Sequence, residues 1–94
     1  MDPLEKYRRE IDSLDAQLVG VIARRLDVCR KVAGFKKESS IPMMQPERVE
    51  QVKQRCIKLG VSQGIDPNFV MELYNLIIRE TCKLETSIIG ESET

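Results

Sequence analysis

Histidine is missing from all 94 residues, and no other absence excludes as much. Without it there is no Ser–His or Cys–His catalytic system, no imidazole metal ligand and no imidazole proton shuttle. Tryptophan is also missing and aromatics are 4 % of the chain, so any core is built from aliphatic side chains. Neither charge is in excess, with 15 basic and 15 acidic residues, so the basic footprint of a nucleic-acid binder is lacking. No apolar run approaches the roughly 20 residues that cross a bilayer, and the opening MDPLEKYRRE has no signal-peptide centre. Three scattered cysteines, Cys29, Cys56 and Cys82, form no CxxC pair and read as reduced thiols in a cytoplasmic protein. No metal, cofactor, nucleic acid or membrane is expected as a partner. Five glycines and four prolines are few for a loop-rich fold. With charged residues at 32 %, the composition suits helices laced with ion pairs.

Ninety-four residues fit one domain, spanning 1–94. Leu4, Tyr7, Ile11, Leu14, Leu18, Val21, Ile22, Val28, Val32 and Phe35 recur at helical spacing, and no proline interrupts them between Pro3 and Pro42. The spacing predicts one helix of about 35 residues, starting near Pro3 with Asp2 as its cap. Such a helix is roughly 50 Å long, whereas a compact chain of this size has a radius of gyration near 12–13 Å. Its own chain cannot cover it. An obligate, interlocked homodimer is expected in place of a bent single-chain hairpin. After the break at Ser39-Ser40-Ile41-Pro42, Pro46 opens a second helix carrying Val49, Val52, Cys56 and Leu59. That helix is expected to stop near Gly60, with a turn over 61–64. Asp66-Pro67 starts a third helix, which carries Phe69, Val70, Leu73, Ile77, Leu84 and Ile88 and fades at Gly90, leaving a frayed tail. No alternating strand pattern occurs. The fold class is all-α, with one long and two shorter helices per chain.

Charges interrupt the apolar seams. The seam through Ile11, Leu14, Leu18 and Val21/Ile22 meets Arg25 where an apolar residue is due, and its extensions reach Lys36 and Arg8. On the third helix Thr81 and Glu85 continue the line of Val70, Leu73 and Ile77; on the second, Arg48 adjoins Val49. Any one of these alone reads as a snorkelling side chain or a surface ion pair. Together, four cations with one carboxylate and one hydroxyl suggest a polar pocket between helices. Such a pocket suits a small ligand with two carboxylates, which arginine grips bidentately. Plainer readings apply elsewhere: Met43 and Met44 as adaptable loop packing over the pocket, Cys29, Cys56 and Cys82 as small buried hydrophobes, Tyr74 as inter-helix packing, and Glu10, Asp12 and Asp15 as a solvated face.

RREIDSLDAQLV, RRLDVCRKVAGFK, Arg48 after the proline loop, and LYNLIIRETCKLE fall in one order over about residues 4–89. In that order they resemble the all-helical chorismate mutases. The resemblance implies an intertwined dimer of three-helix chains whose sites draw on both subunits. It further implies that Arg25, Lys36 and Arg48 of one chain, with Arg8 of the other, bind the ring and pyruvyl carboxylates of the substrate. Lys36 would also donate to the ether oxygen of the breaking bond, and Thr81 would help hold a carboxylate. Glu85 stands where a glutamine commonly donates to that same oxygen; a glutamate donates there only when protonated. The implied reaction, a [3,3] rearrangement of an enolpyruvyl ether, needs no nucleophile, metal or proton transfer. Orientation and charge stabilisation suffice, which accords with the missing histidine.

The departure lies in IPMMQPERV. Ordinary members place acidic groups here for the C4 hydroxyl of chorismate; the corresponding residues are Gln45 and Val49. The PMMQP-x-RV and LIIxETC-x-xE stretches are similar to the branch acting on 4-amino-4-deoxychorismate, which leads to p-aminophenylalanine-derived metabolites. Plain chorismate is the alternative substrate. Other readings are a lyase releasing pyruvate from isochorismate, a non-catalytic dimerisation module and a regulatory dicarboxylate-binding domain. For a pure scaffold, Lys36→Ala is expected to be harmless or stabilising, whereas an enzyme is expected to lose nearly all turnover while remaining a folded dimer.

Overall fold

The computed structural model describes residues 2–43 and 45–90. Three helices follow one another: α1 over Pro3–Ser39, α2 over Pro46–Ser62 and α3 over Pro67–Gly90. The readings of Met44 and of the 91–94 tail lie outside the described residues.

Each boundary has a local cause. The Asp2 side chain accepts from the Leu4 amide at 3.0 Å, and Pro3 fills the first turn, where its missing N–H costs nothing. α1 then runs unbroken for 37 residues. It ends where Ser40 turns left-handed at φ 56°, with the Ser40 and Ile41 amides both returning to the Lys36 carbonyl. Lys36 and Lys37 lie in the last turn, where the helix dipole favours cations. Pro46 starts α2 and Glu47 adds a charge of the favourable sign. At its end, Gly64 N–H reaches the Val61 carbonyl and Ile65 N–H the Gly60 carbonyl, a Schellman closure with Gly64 at φ +78°. Asp66 caps α3 through the Asn68 amide at 2.8 Å.

α2 therefore passes through Gly60 and continues to Ser62, two residues past its expected end. Gly60 is a packing glycine, buried, and a Cβ there would lie 2.6 Å from Val70 Cγ2. The absent side chain lets α3 approach α2, and the turn that stops the helix belongs to Gly64.

α3 is the middle element and packs on both neighbours, while no Cα of α1 lies within 8 Å of a Cα of α2. A wedge-shaped space is left between α1 and α2, floored by α3. The buried residues among those described are few: Ala33, Gly60, Val70 and the carboxylate-bearing Glu85. The chain measures 60 × 25 × 15 Å, with a radius of gyration of 17.1 Å, against about 12–13 Å for a compact chain of this length. Along the N-terminal half of α1 the seam of Leu4, Tyr7, Ile11, Leu14 and Leu18 is exposed, Leu14 at 60 %. Isolated apolar side chains at a surface are ordinary, but a continuous helical stripe is not. No helix among the described residues is long and apolar enough to cross a membrane.

Candidate active site

The wedge between α1 and α2 holds a cavity of about 430 Å³, within the usual range for small-ligand sites. α1 gives it Arg25, Val32 and Lys36; the 40–45 connection and α2 give Met43, Gln45, Arg48 and Val49; α3 gives Thr81 and Glu85. Spacing explains the convergence. Thr81 and Glu85 are one turn apart and so face the same way. Arg25, Cys29, Val32 and Lys36 descend one face of α1 at steps of three or four.

Lys36 is the most constrained polar group. Its Nζ donates to the Met43 carbonyl at 2.9 Å and to Glu85 Oε1 at 3.2 Å. Both partners of the ion pair are sheltered, with side-chain exposures of 14 % and 6 %. A buried carboxylate without a cation is costly, so Glu85 fixes Lys36 and Lys36 permits Glu85. An ammonium has three N–H donors; two are used, and one is left for a ligand. In this geometry Glu85 accepts a hydrogen bond and donates none.

Arg25 is held differently. Its Nη1 donates to Thr81 Oγ1 at 3.1 Å, and the Thr81 hydroxyl in turn donates to the Ile77 carbonyl at 3.0 Å. Cys29 Sγ lies 4.0 Å from the same Nη1 and 3.9 Å from Thr81 Oγ1. Arg48 and Gln45 are exposed at the cavity's rim, and Gln45 makes no capping bond to α2. Val49 is half-buried and presents methyl groups. Three cations and one carboxylate line the space, a formal excess of positive charge that attracts an anion.

Seven of the eight candidate residues are thus gathered by one chain: Arg25, Lys36, Gln45, Arg48, Val49, Thr81 and Glu85. Arg8 is not among them. It lies near the other end of α1, exposed, 3.4 Å from Glu5. Met43 contributes more than packing, since its carbonyl fixes Lys36 and its Sδ lies 3.2 Å from Thr86 Oγ1. A backbone acceptor has no signature in sequence. The three thiols are free and half-buried, and Cys29 and Cys82 line the cavity; their apolar spacing on α1 and α3 was the only signal. No cluster of three or more metal-ligating side chains occurs among the described residues.

Comparisons with known proteins point the same way. The chain is 42 % identical over 89 residues to a 4-amino-4-deoxychorismate mutase of Streptomyces pristinaespiralis, covering 95 % of this chain and 69 % of that one. It is 37 % identical over 87 residues to a 4-amino-4-deoxychorismate mutase of Streptomyces venezuelae, covering 93 % and 84 %. Identity to the chorismate mutase of Methanocaldococcus jannaschii is 26 % over 93 residues, 99 % of this chain and 94 % of that protein. The model of the family described as chorismate mutase type II matches residues 7–86. By this match over most of its length, the chain belongs to the chorismate mutase type II family.

Proposed function

We propose that this enzyme, an isomerase of chorismate mutase type, rearranges 4-amino-4-deoxychorismate to 4-amino-4-deoxyprephenate. The observation that carries the substrate choice is the identity of 42 % and 37 % to two proteins of that name, against 26 % to a chorismate mutase. Gln45 and Val49 support it, because neither of these two positions carries a carboxylate of the kind that suits a C4 hydroxyl.

Arg25 and Arg48 grip the substrate's two carboxylates as charge-assisted forks. Thr81 orients Arg25 through the 3.1 Å bond. The free donor of Lys36 points at the ether oxygen, where negative charge grows as the C–O bond breaks and the C–C bond forms. Lys36 is already fixed by Glu85 and Met43, so little reorganisation accompanies the reaction. Holding the flexible enolpyruvyl arm over the ring supplies orientation. Even a 10⁶-fold acceleration asks for only about 8 kcal/mol from these effects together.

The working unit is a homodimer. A second copy covers the exposed seam of Leu4, Ile11, Leu14 and Leu18 and brings its Arg8 to the open side of the pocket. The reaction takes place in the cytoplasm, where Cys29, Cys56 and Cys82 stay as thiols.

The test is to supply purified protein with 4-amino-4-deoxychorismate and chorismate in parallel and identify the products by mass. Higher kcat/KM on the amino compound with an isomeric product supports the reading. Preference for chorismate gives prephenate formation, the second reading. Release of pyruvate would mark a lyase, and silence on both substrates would leave only a scaffold.

A further inference from the structure

Arg25 has no ion-pair partner in its own chain among the described residues. An acidic partner would fix the side chain, but it would also compete with an incoming carboxylate. The neighbours that do surround it are neutral: the Thr81 hydroxyl, the Cys29 thiol and, 5.9 Å from the guanidinium carbon, the centroid of the Tyr74 ring. At that distance the electron-rich face of a ring attracts a cation and leaves its charge intact. Tyr74 and Thr81 are two turns apart on α3, so both present to the same face of α1. The Cys56 thiol of α2, together with burial, holds the Tyr74 phenol's pKa above the ordinary range against the pull of Arg25 and Arg55. One α3 side chain thus interacts with a cation on α1 and is influenced by a thiol on α2, helices whose backbones stay apart.

We infer that Tyr74 is a positioning residue: its ring aims the Arg25 guanidinium at a ligand carboxylate without neutralising it. The inference rests on the reading of Arg25 as a carboxylate grip. The ring acts on binding in the ground state and the transition state alike, so its loss is felt in KM more than in kcat.

The experiment is a cycle of Tyr74→Leu and Arg25→Ala, with Tyr74→Phe as the conservative control. Steady-state kinetics are read on whichever of the two substrates the wild type turns over. Tyr74→Leu should raise KM about tenfold with a smaller change in kcat. Tyr74→Phe should restore most of that loss, and in the Arg25→Ala background Tyr74→Leu should cost little more. Equal losses from Tyr74→Leu in both backgrounds, or Phe as impaired as Leu, overturn the inference. Circular dichroism and thermal unfolding report whether each variant is folded; Tyr74→Met replaces Tyr74→Leu in the cycle should the latter unfold. A wild type inert on both substrates overturns instead the functional reading beneath it.

Discussion

Arg8 and Arg25 stand on one unbroken helix, 17 residues apart, which places them about 25 Å from each other along its axis. That is several times the reach of an arginine side chain, so Arg8 cannot serve the pocket of its own chain. If a second copy brings it there, two inactive variants should rescue each other. Arg8→Ala removes the crossing cation and Arg48→Ala a cation of the resident chain. Arg48 is preferred to Lys36 because it is exposed, so its loss leaves no buried charge unpaired. Unfolded together in equal amounts and refolded, the variants form mixed dimers in about half of all pairs, and in each mixed dimer one site carries both lesions and the other neither. About a quarter of all sites are then intact, and the pool should recover about a quarter of wild-type turnover. An Arg8 acting within its own chain predicts no intact site at all. A pool no more active than the average of its parents, with dimers verified by mass, refutes the reasoning.

Lys36→Met should lower turnover about 10²–10³-fold by removing the donor to the ether oxygen. It should also lower stability by about 3 kcal/mol in chemical unfolding, because Glu85 is left buried without its cation. Lys36→Met with Glu85→Gln should regain stability and stay inactive; a single variant as stable as wild type contradicts the pair's structural role. Gly60→Ala should cost about 1–3 kcal/mol through the 2.6 Å encounter with Val70. That penalty should shrink in a Val70→Ala background, as read by thermal unfolding. Tyr74 titrates above its unfolded value, so the folded state keeps a proton that the unfolded state releases. Its contribution is full below the unfolded pKa of 10.0 and is lost as pH rises through the folded value. Tyr74→Phe should therefore flatten the fall in stability above about pH 10. An unchanged alkaline slope would count against that assignment.

Much of this was legible because helices announce themselves locally. Asp2-Pro3 and Asp66-Pro67 mark their helix starts by chemistry confined to a few residues, and both are observed at those positions. The break of the α1 seam at Arg25 and Lys36 was visible as a charge where an apolar residue was due. Gly60 misled because glycine ends helices and also permits close packing; only the approach of Val70, ten residues on, distinguishes the two. The Met43 carbonyl at Lys36 was illegible for another reason, since a backbone oxygen carries no side-chain identity. Tyr74 was readable as packing, but the cation above its ring depends on the angle between α1 and α3, which no local pattern encodes.

The gap between α1 and α2 gives the bound molecule a mechanical part to play. These helices do not pack on each other; they are joined through α3 and the short connection between them. On the proposed reading, a dicarboxylate held by Arg25 and Lys36 on one side and Arg48 on the other would be the missing crossbar of the frame. Occupancy should then slow amide exchange along α2, whose first turns otherwise lean on a single neighbour. A substrate bound in this way would complete the architecture in the same act by which it is bent toward reaction.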